Sequence, residues 1–349
     1  MTDLLKATPL HRLDVDADVV TSFTWDYVQS RPALTKLYEK GKTSQWNAST
    51  DVDWSLDVDF GVPNPDMTDE DRALIEGFMG FDNPESPFFG MNEEERAGMA
   101  WQFQAWMVSQ FMHGEQGALV ATARLVETVP DIDSKYYAAN QVADEARHVE
   151  AYAKYINDKM GPQHAYAISS PLQSLLTDIM TESRWDITYL GMQIMVEGLA
   201  LAAFGMGNVL FRDDVIKQIT DLVMRDEARH VAFGVLSLRD VVPELSAAEL
   251  ADREEFLLEA TDLMYRRFLL EQVWERMGVD VEKGKAYAAN NPLMVIFRQI
   301  LFSKIVPNIN KLGLMTPKIR ERFVDLQVAQ FESAPDSATE AFGAQIFDA

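Results

Sequence analysis

Apolar residues recur at helical spacing through the middle of this chain, and they mark out four long helices. The first is expected from Asn92 to about Thr128, with Val108, Phe111, Leu119 and Thr122 in line. Asn92 and Glu95 have the spacing of a capping box, and Pro130 bars continuation. A second helix, from Ile132 or Ser134, carries Gln141, Glu145, His148 and Tyr152 on one stripe and stops at Gly161-Pro162. The third opens near Ser170-Pro171, bends around Ser183, and continues as an almost wholly apolar run from Tyr189 to Phe211. Only Gln193 and Glu197 interrupt that run, four apart on one face. The fourth starts near Asp213, turns Val223, Glu227, His230 and Gly234 inward, and ends at Pro243.

The flanks have weaker patterns. Residues 1–66 scatter Trp25, Trp46 and Trp54 among Pro, Asp and Thr, as an arm wrapping a bundle would, and Thr68 to Met79 reads as a short helix. Asp51, Asp53, Asp57 and Asp59 alternate without the glycine and terminal glutamate of a calcium loop, so they read as a solvated face. Ser246 and Glu249 open a long helix expected to reach Met277, whose Glu and Arg content gives it a solvated side. Asn291-Pro292 starts an apolar helix to about Ile305, Pro307 to Phe323 adds a turn and a shorter helix, and Ser333 to Glu340 reads as a loose tail. The expected division is all-α: an arm and short helix over 1–91, a four-helix bundle over 92–241, packed helices over 242–332 and a tail over 333–349.

Composition narrows the chemistry. With 349 residues, 47% of them hydrophobic, the chain can bury a sizeable core. A net charge of −24 disfavours nucleic acid and anionic lipid as partners. There is no cysteine, which excludes thiolate ligands, iron–sulfur clusters and thiol catalysis. The run from Tyr189 to Phe211 is long enough to span a bilayer, but the helices expected against it are too charged for lipid, so it reads as a buried helix and not a membrane anchor. Met1 to Arg12 shows no secretory pattern, and a cytoplasmic location is the expectation.

One hexapeptide occurs twice, Asp144-Glu145-Ala146-Arg147-His148-Val149 and Asp226-Glu227-Ala228-Arg229-His230-Val231. Residues three apart on a helix share a face, separated by about 4.5 Å along the axis. Each Glu-x-x-His can therefore point a carboxylate and an imidazole at one ion. A further glutamate lies thirty residues upstream of each copy, so Glu115 and Glu197, Glu145 and Glu227, and His148 and His230 are pairs 82 positions apart. Four carboxylates buried together need cations between them. Two divalent ions match their charge, and nitrogen and oxygen donors suit iron or manganese.

Over roughly residues 92 to 241 this pattern resembles the ferritin-like non-haem di-iron carboxylate superfamily, in which one Glu from each of two helices joins Glu-x-x-His from the other two. The resemblance implies a ferritin-like four-helix bundle and two iron ions, or manganese with iron. Glu115, Glu145 and His148 would serve one ion and Glu197, Glu227 and His230 the other, with Glu145 and Glu227 as bridges. Asp144 and Asp226 would accept from the ligand imidazoles, and Arg147 and Arg229 would balance them.

The activity implied is that of an O2-activating di-iron oxygenase or oxidase acting on a small organic substrate by N-oxygenation or hydroxylation. Electrons would come from a separate reductase or ferredoxin, since no flavin or nicotinamide fingerprint is present; a homodimer would fit. The negative surface favours an amine. Phe111, Leu201, Phe204, Val223 and Gly234 are expected to line the pocket, with Gln141 and Gln193 as polar anchors. The alternatives are a radical-generating subunit like that of ribonucleotide reductase, whose radical tyrosine corresponds to Tyr152, and a ferroxidase. Leu201 and Val223 stand where multicomponent hydroxylases carry threonine and the p-aminobenzoate N-oxygenase branch an extra histidine. His113, two residues from Glu115, would need a local bulge to act as a third imidazole.

Overall fold

The computed structural model describes residues 15–58, 68, 76, 79–81, 83–211 and 213–347. His11, Asp59 and most of the expected helix from Thr68 to Met79 lie outside them. Helix α1 is Pro32–Thr43. The bundle follows as α2, Glu93–Thr128, and α3, Ile132–Tyr155, which runs into a π-helical turn over Ile156–Met160. Next come α4, Ser170–Thr181, α5, Trp185–Tyr189, a π-helical segment over Leu190–Val196 and α6, Glu197–Leu210. The fourth bundle helix is α7, Asp214–Leu238.

The helix ends are where side chains can satisfy free amides. Asn92 and Glu95 close the expected capping box on α2. Asp131 caps α3 and Asp213 caps α7. Asp213 is buried and does more: its Oδ2 accepts from Gln104 Nε2 at 2.8 Å and from the Tyr155 hydroxyl at 2.7 Å, tying three bundle helices together. Gly161, at φ 87°, ends the second helix at the expected stop.

The third bundle helix breaks at Glu182–Arg184, as expected around Ser183. It then runs through the apolar stretch in the centre of the molecule, where every residue from Leu190 to Val196 is buried. Trp185–Asn208 and Pro292–Lys311 are apolar and long enough to cross a membrane, and the first is 89% buried within this chain. Gly234 on α7 allows the π-helical segment to approach, since a Cβ there would stand 2.5 Å from Gln193 Cβ.

Outside the bundle, α8 spans Ala247–Arg267. It was expected to reach Met277, but Leu270 adopts a left-handed φ of 59° and starts a separate helix α9, Glu271–Arg276. Arg253 on α8 donates to Asp186 Oδ2 at 3.0 and 2.7 Å, pinning α8 to the start of α5. Then follow α10, Val281–Asn290, α11, Pro292–Phe302, α12, Val306–Lys311, α13, Pro317–Asp325, and α14, Ser337–Phe342.

The segment Ser333–Glu340 is not a loose tail. Asp336 caps α14, Ser337 and Ala338 are buried, and Asn308 exchanges hydrogen bonds with Ser337 at 2.8 and 3.1 Å. At the other end of the chain, Arg31 ties the arm to the bundle through the Leu236 carbonyl, 2.8 Å, and the Ser134 hydroxyl, 3.2 Å.

Replacing Gly234 with alanine should separate α7 from the π-helical segment and cost about 1–3 kcal/mol, as overpacking does. Urea denaturation measures this; an unchanged midpoint would mean the close approach is not required.

Candidate metal centre

The two hexapeptides lie on α3 and α7, and their Glu-x-x-His faces meet inside the bundle. Glu115 from α2 and Glu197 from the first turn of α6 complete the group. All six residues are at most 5% exposed. Ligand-type atoms of Glu115, Glu145, His148 and Glu227 lie within 4.8 Å of one another, as do those of Glu145, Glu197 and His230. Glu145 is common to both sets, and Glu227 Oε1 is 3.3 Å from His148 Nδ1 and 3.4 Å from His230 Nδ1. The six residues singled out by spacing therefore lie together in one chamber.

Each imidazole turns Nδ1 inward and Nε2 outward. His148 Nδ1 is 3.1 Å from Glu115 Oε2, and His230 Nδ1 is 3.0 Å from Glu145 Oε1. The outward contacts cross over: His148 Nε2 meets Asp226 Oδ2 at 3.1 Å, and His230 Nε2 meets Asp144 Oδ2 at 3.3 Å. Each aspartate therefore orients the histidine of the other copy. Arg147 contacts Asp144 at 2.5 Å and Asp226 at 3.2 Å. Arg229 bonds Asp226 and lies 3.5 Å from Asp144. Two buried anions and two cations thereby neutralise each other across α3 and α7.

The arm enters this network through residues that sequence reasoning left among scattered aromatics. Trp46 Nε1 donates to Asp226 Oδ2 at 2.8 Å, and the indole lies nearly parallel to the His148 ring, 6.1 Å away. Gln45 Nε2 donates to Asp144 Oδ1 at 2.9 Å. No spacing rule signals these two, because they reach the centre through the fold.

The electrostatics are those of a group that needs counter-charge. Burial, reinforced by the neighbouring Glu227 charge, pushes Glu115 and Glu197 well above the ordinary carboxylate value. For His148 and His230 burial acts downward, yet the surrounding carboxylates win and hold both imidazoles well above their ordinary value. Burial alone would raise Glu145, but the two histidines hold it low. These opposed shifts are those of carboxylates and imidazoles packed together in a dry interior, where divalent cations would supply the missing counter-charge.

Several ligand-type atoms have no hydrogen-bond partner: Glu145 Oε2, Glu197 Oε2, both Glu227 carboxylate oxygens and His230 Nδ1. Buried orphaned atoms of this kind, all nitrogen or oxygen, fit a pair of first-row ions such as iron or manganese.

Other expected residues fall elsewhere. Gln141 is not a pocket anchor: its Nε2 donates to Glu145 Oε1 at 3.0 Å and to Glu197 Oε1 at 2.7 Å, bracing two carboxylates. His113 is in neither ligand set; α2 continues without a bulge, and Nε2 meets the Tyr166 carbonyl at 3.0 Å. Burial depresses His113, which leaves it neutral and donating there. Tyr152 is fully buried beside the centre, 5.9 Å from the Phe111 ring and 6.4 Å from Phe204.

A small cavity of about 20 Å³ lies against Glu115, Glu197 and Glu227 and is walled by Phe111, Leu199 and Phe204. Leu201, Val223, Gly234 and Gln193 are not in its lining. Residues three and seven beyond Glu197, Ala200 and Phe204, face it, whereas Leu201 turns into a surface groove beside Met206 and Ile300. Arg267, at the last position of α8, also lines the cavity.

No protein-family model matches the sequence, and no curated protein matches it significantly. Solved structures do. An R2-like ligand-binding oxidase with aerobically reconstituted metal cofactor after photoconversion superposes with a TM-score of 0.50 at 17% identity, covering 82% of this chain and 95% of that one. A point variant of an R2-like ligand-binding oxidase with aerobically reconstituted Mn/Fe cofactor gives 0.49 at 17% identity, covering 84% and 96%. The first shows the fold alone: this chain shares the helical architecture of that R2-like ligand-binding oxidase.

Replacing Asp144 or Asp226 with asparagine should each weaken metal binding about 10–100-fold, the usual effect of losing a partner that orients a ligand histidine. Competition titration with a chelator measures this, and an unaltered affinity in both variants would show that the crossed contacts do not orient the imidazoles.

Proposed function

We propose that the chain is a di-metal oxidase or oxygenase that uses O2 to oxidise a small, largely apolar organic molecule. In this reading Glu115, Glu145 and His148 hold one ion, Glu197, Glu227 and His230 hold the other, and Glu145 and Glu227 are shared. The ions are two irons, or manganese and iron. The observation that carries the reading is the set of buried carboxylate oxygens and one imidazole nitrogen left without partners in one chamber. Support comes from the shared fold with an R2-like ligand-binding oxidase whose metal cofactor is reconstituted aerobically.

When bound, the ions supply one-electron redox chemistry toward O2, drawing electrons from a separate reductase or ferredoxin. The chain's own residues do the rest. Asp226 and Asp144 fix the outward nitrogens of His148 and His230, so that Nδ1 is the atom each presents inward. Gln141 holds Glu145 and Glu197 in register. Phe111, Leu199 and Phe204 exclude water from the cavity side, which protects reactive oxygen species from side reactions. Oxidation at carbon suits this cavity better than N-oxygenation of a cationic amine, since Arg267 would repel a positive charge there.

A second reading is favoured by one observation. Tyr152 is buried against the adjoining rings of Phe111 and Phe204, with its hydroxyl close to Thr220 and within electrostatic reach of Glu115. A tyrosyl radical on this residue would make the chain a radical-generating subunit. A ferroxidase would instead take up many irons per chain.

Metal analysis after iron- and manganese-replete expression should give two ions per chain. Glu145→Ala should lower both metal content and reductant-dependent O2 consumption by more than about 100-fold, exceeding the loss from partners that only orient ligands. Full occupancy and O2 consumption in that variant would refute the centre as assigned. Tyr152→Phe should retain both ions and O2 consumption; a sharp tyrosyl signal by electron paramagnetic resonance that this variant abolishes would select the radical subunit instead.

A further inference from the structure

Arg267 is a buried cation that the metal centre does not use. It is 7% exposed, its Nε is sealed from solvent without a hydrogen-bond partner, and no ion pair or hydrogen bond holds it among the described residues. Its guanidinium carbon lies 5.4 Å from the centre of the Phe268 ring. Desolvation depresses it to about 10, which leaves it protonated at neutral pH. A guanidinium carries five N–H donors, and burying them unpaired is costly. Buried unpaired charges are rare without a function to retain them.

Its position supplies that function. The same cavity that touches Glu115, Glu197 and Glu227 is lined by Arg267. The rest of the lining is largely apolar, with Phe111, Leu199 and Phe204. Gly114 also faces the cavity, and a Cβ at that position would meet no atom within 4 Å. The cavity lining thus combines acidic residues, a cation without an ion pair, and hydrocarbon. His113, whose ring feels the Arg267 charge, is depressed by burial and engaged with the Tyr166 carbonyl, so it does not compete with Arg267 for an anion.

We propose that Arg267 is the substrate anchor, binding the carboxylate of a small apolar monocarboxylic acid whose hydrocarbon part lies against the metal centre. A carboxylate accepts two parallel N–H bonds from a guanidinium, which is the strongest pairing open to a buried arginine. As it stands, the cavity has room for about one water. Entry of the acid therefore displaces the Leu199 and Phe204 side chains, which are held by packing and not by hydrogen bonds. The inference rests on the proposed oxidase reading only for the role of the acid as substrate; binding of the acid by Arg267 stands without it.

The test is calorimetric titration of the full chain with hexanoate and with hexanamide, its neutral counterpart, in metal-loaded and metal-free protein. Wild type should bind hexanoate at least about tenfold more tightly than hexanamide, the value of hydrogen bonds to a charged group, in both metal states. Arg267→Met should abolish the preference, Arg267→Lys should keep part of it, and Gly114→Leu should block both ligands by filling the cavity. Hexanoate should raise the melting temperature of wild type and not of Arg267→Met, and the free Arg267→Met protein should melt higher than free wild type because a lone buried charge is gone.

A preference that survives Arg267→Met, or that exists only in metal-loaded protein, would mean that the ions bind the acid and would overturn the assignment. So would a lower melting temperature of the free methionine variant, which would give Arg267 a purely structural role. A chain that holds no metal yet keeps the Arg267-dependent preference would defeat the oxidase reading and leave the anchor in place.

Discussion

Four carboxylates brought together in a dry interior are the constraint on which this structure turns. Glu115, Glu145, Glu197 and Glu227 each come from a different bundle helix and are buried together. Their mutual repulsion in low dielectric would drive the helices apart unless positive charge sits among them. The need shows in the protein alone: the carboxylates hold His148 and His230 well above their ordinary value, and burial pushes Glu115 and Glu197 up. Divalent ions would supply that positive charge directly, and their binding would be coupled to proton release.

Around the chamber the charge is handled in layers. The inward faces carry acids and imidazoles, and the next layer out carries two aspartates and two arginines that cancel. Beyond that lie Trp46 and Gln45 from the arm, which bond the same two aspartates. Neutral layers let the centre sit in an apolar bundle without a net charge reaching into the surrounding hydrocarbon, where it would be expensive. The overall −24 charge of the chain is carried at the surface and takes little part in this local balance.

The six centre residues were legible because a helix converts sequence spacing into geometry. Glu145 with His148, and Glu227 with His230, share faces by periodicity alone, and the capped ends at Asn92, Asp131 and Asp213 follow from local rules. Contacts made across the fold were not legible. The crossing of Asp144 to His230 depends on how α3 meets α7. Trp46 reaches His148 from an arm with no periodicity, and Leu201 turned outward because the helix around Glu197 presents the third residue on, Ala200, and not the fourth. Arg267 was hidden for a related reason. Within a helix expected to run on to Met277, an Arg-Arg pair reads as a solvated side; the left-handed turn at Leu270 ends the packing there and leaves the second arginine inside.

The crossed contacts have a genetic consequence. Because the aspartate of each hexapeptide steers the histidine of the other, neither copy owns its own half of the centre, although the two arose at matching positions in a repeated hairpin. Drift in one repeat is felt at the ligands of its twin. A lesion at Asp144 should find its compensating changes around His230 and Arg229, and one at Asp226 around His148 and Arg147. The two repeats are thereby held to the same hexapeptide by mutual dependence, which is a sufficient reason for an identity that their separate helices would not otherwise require.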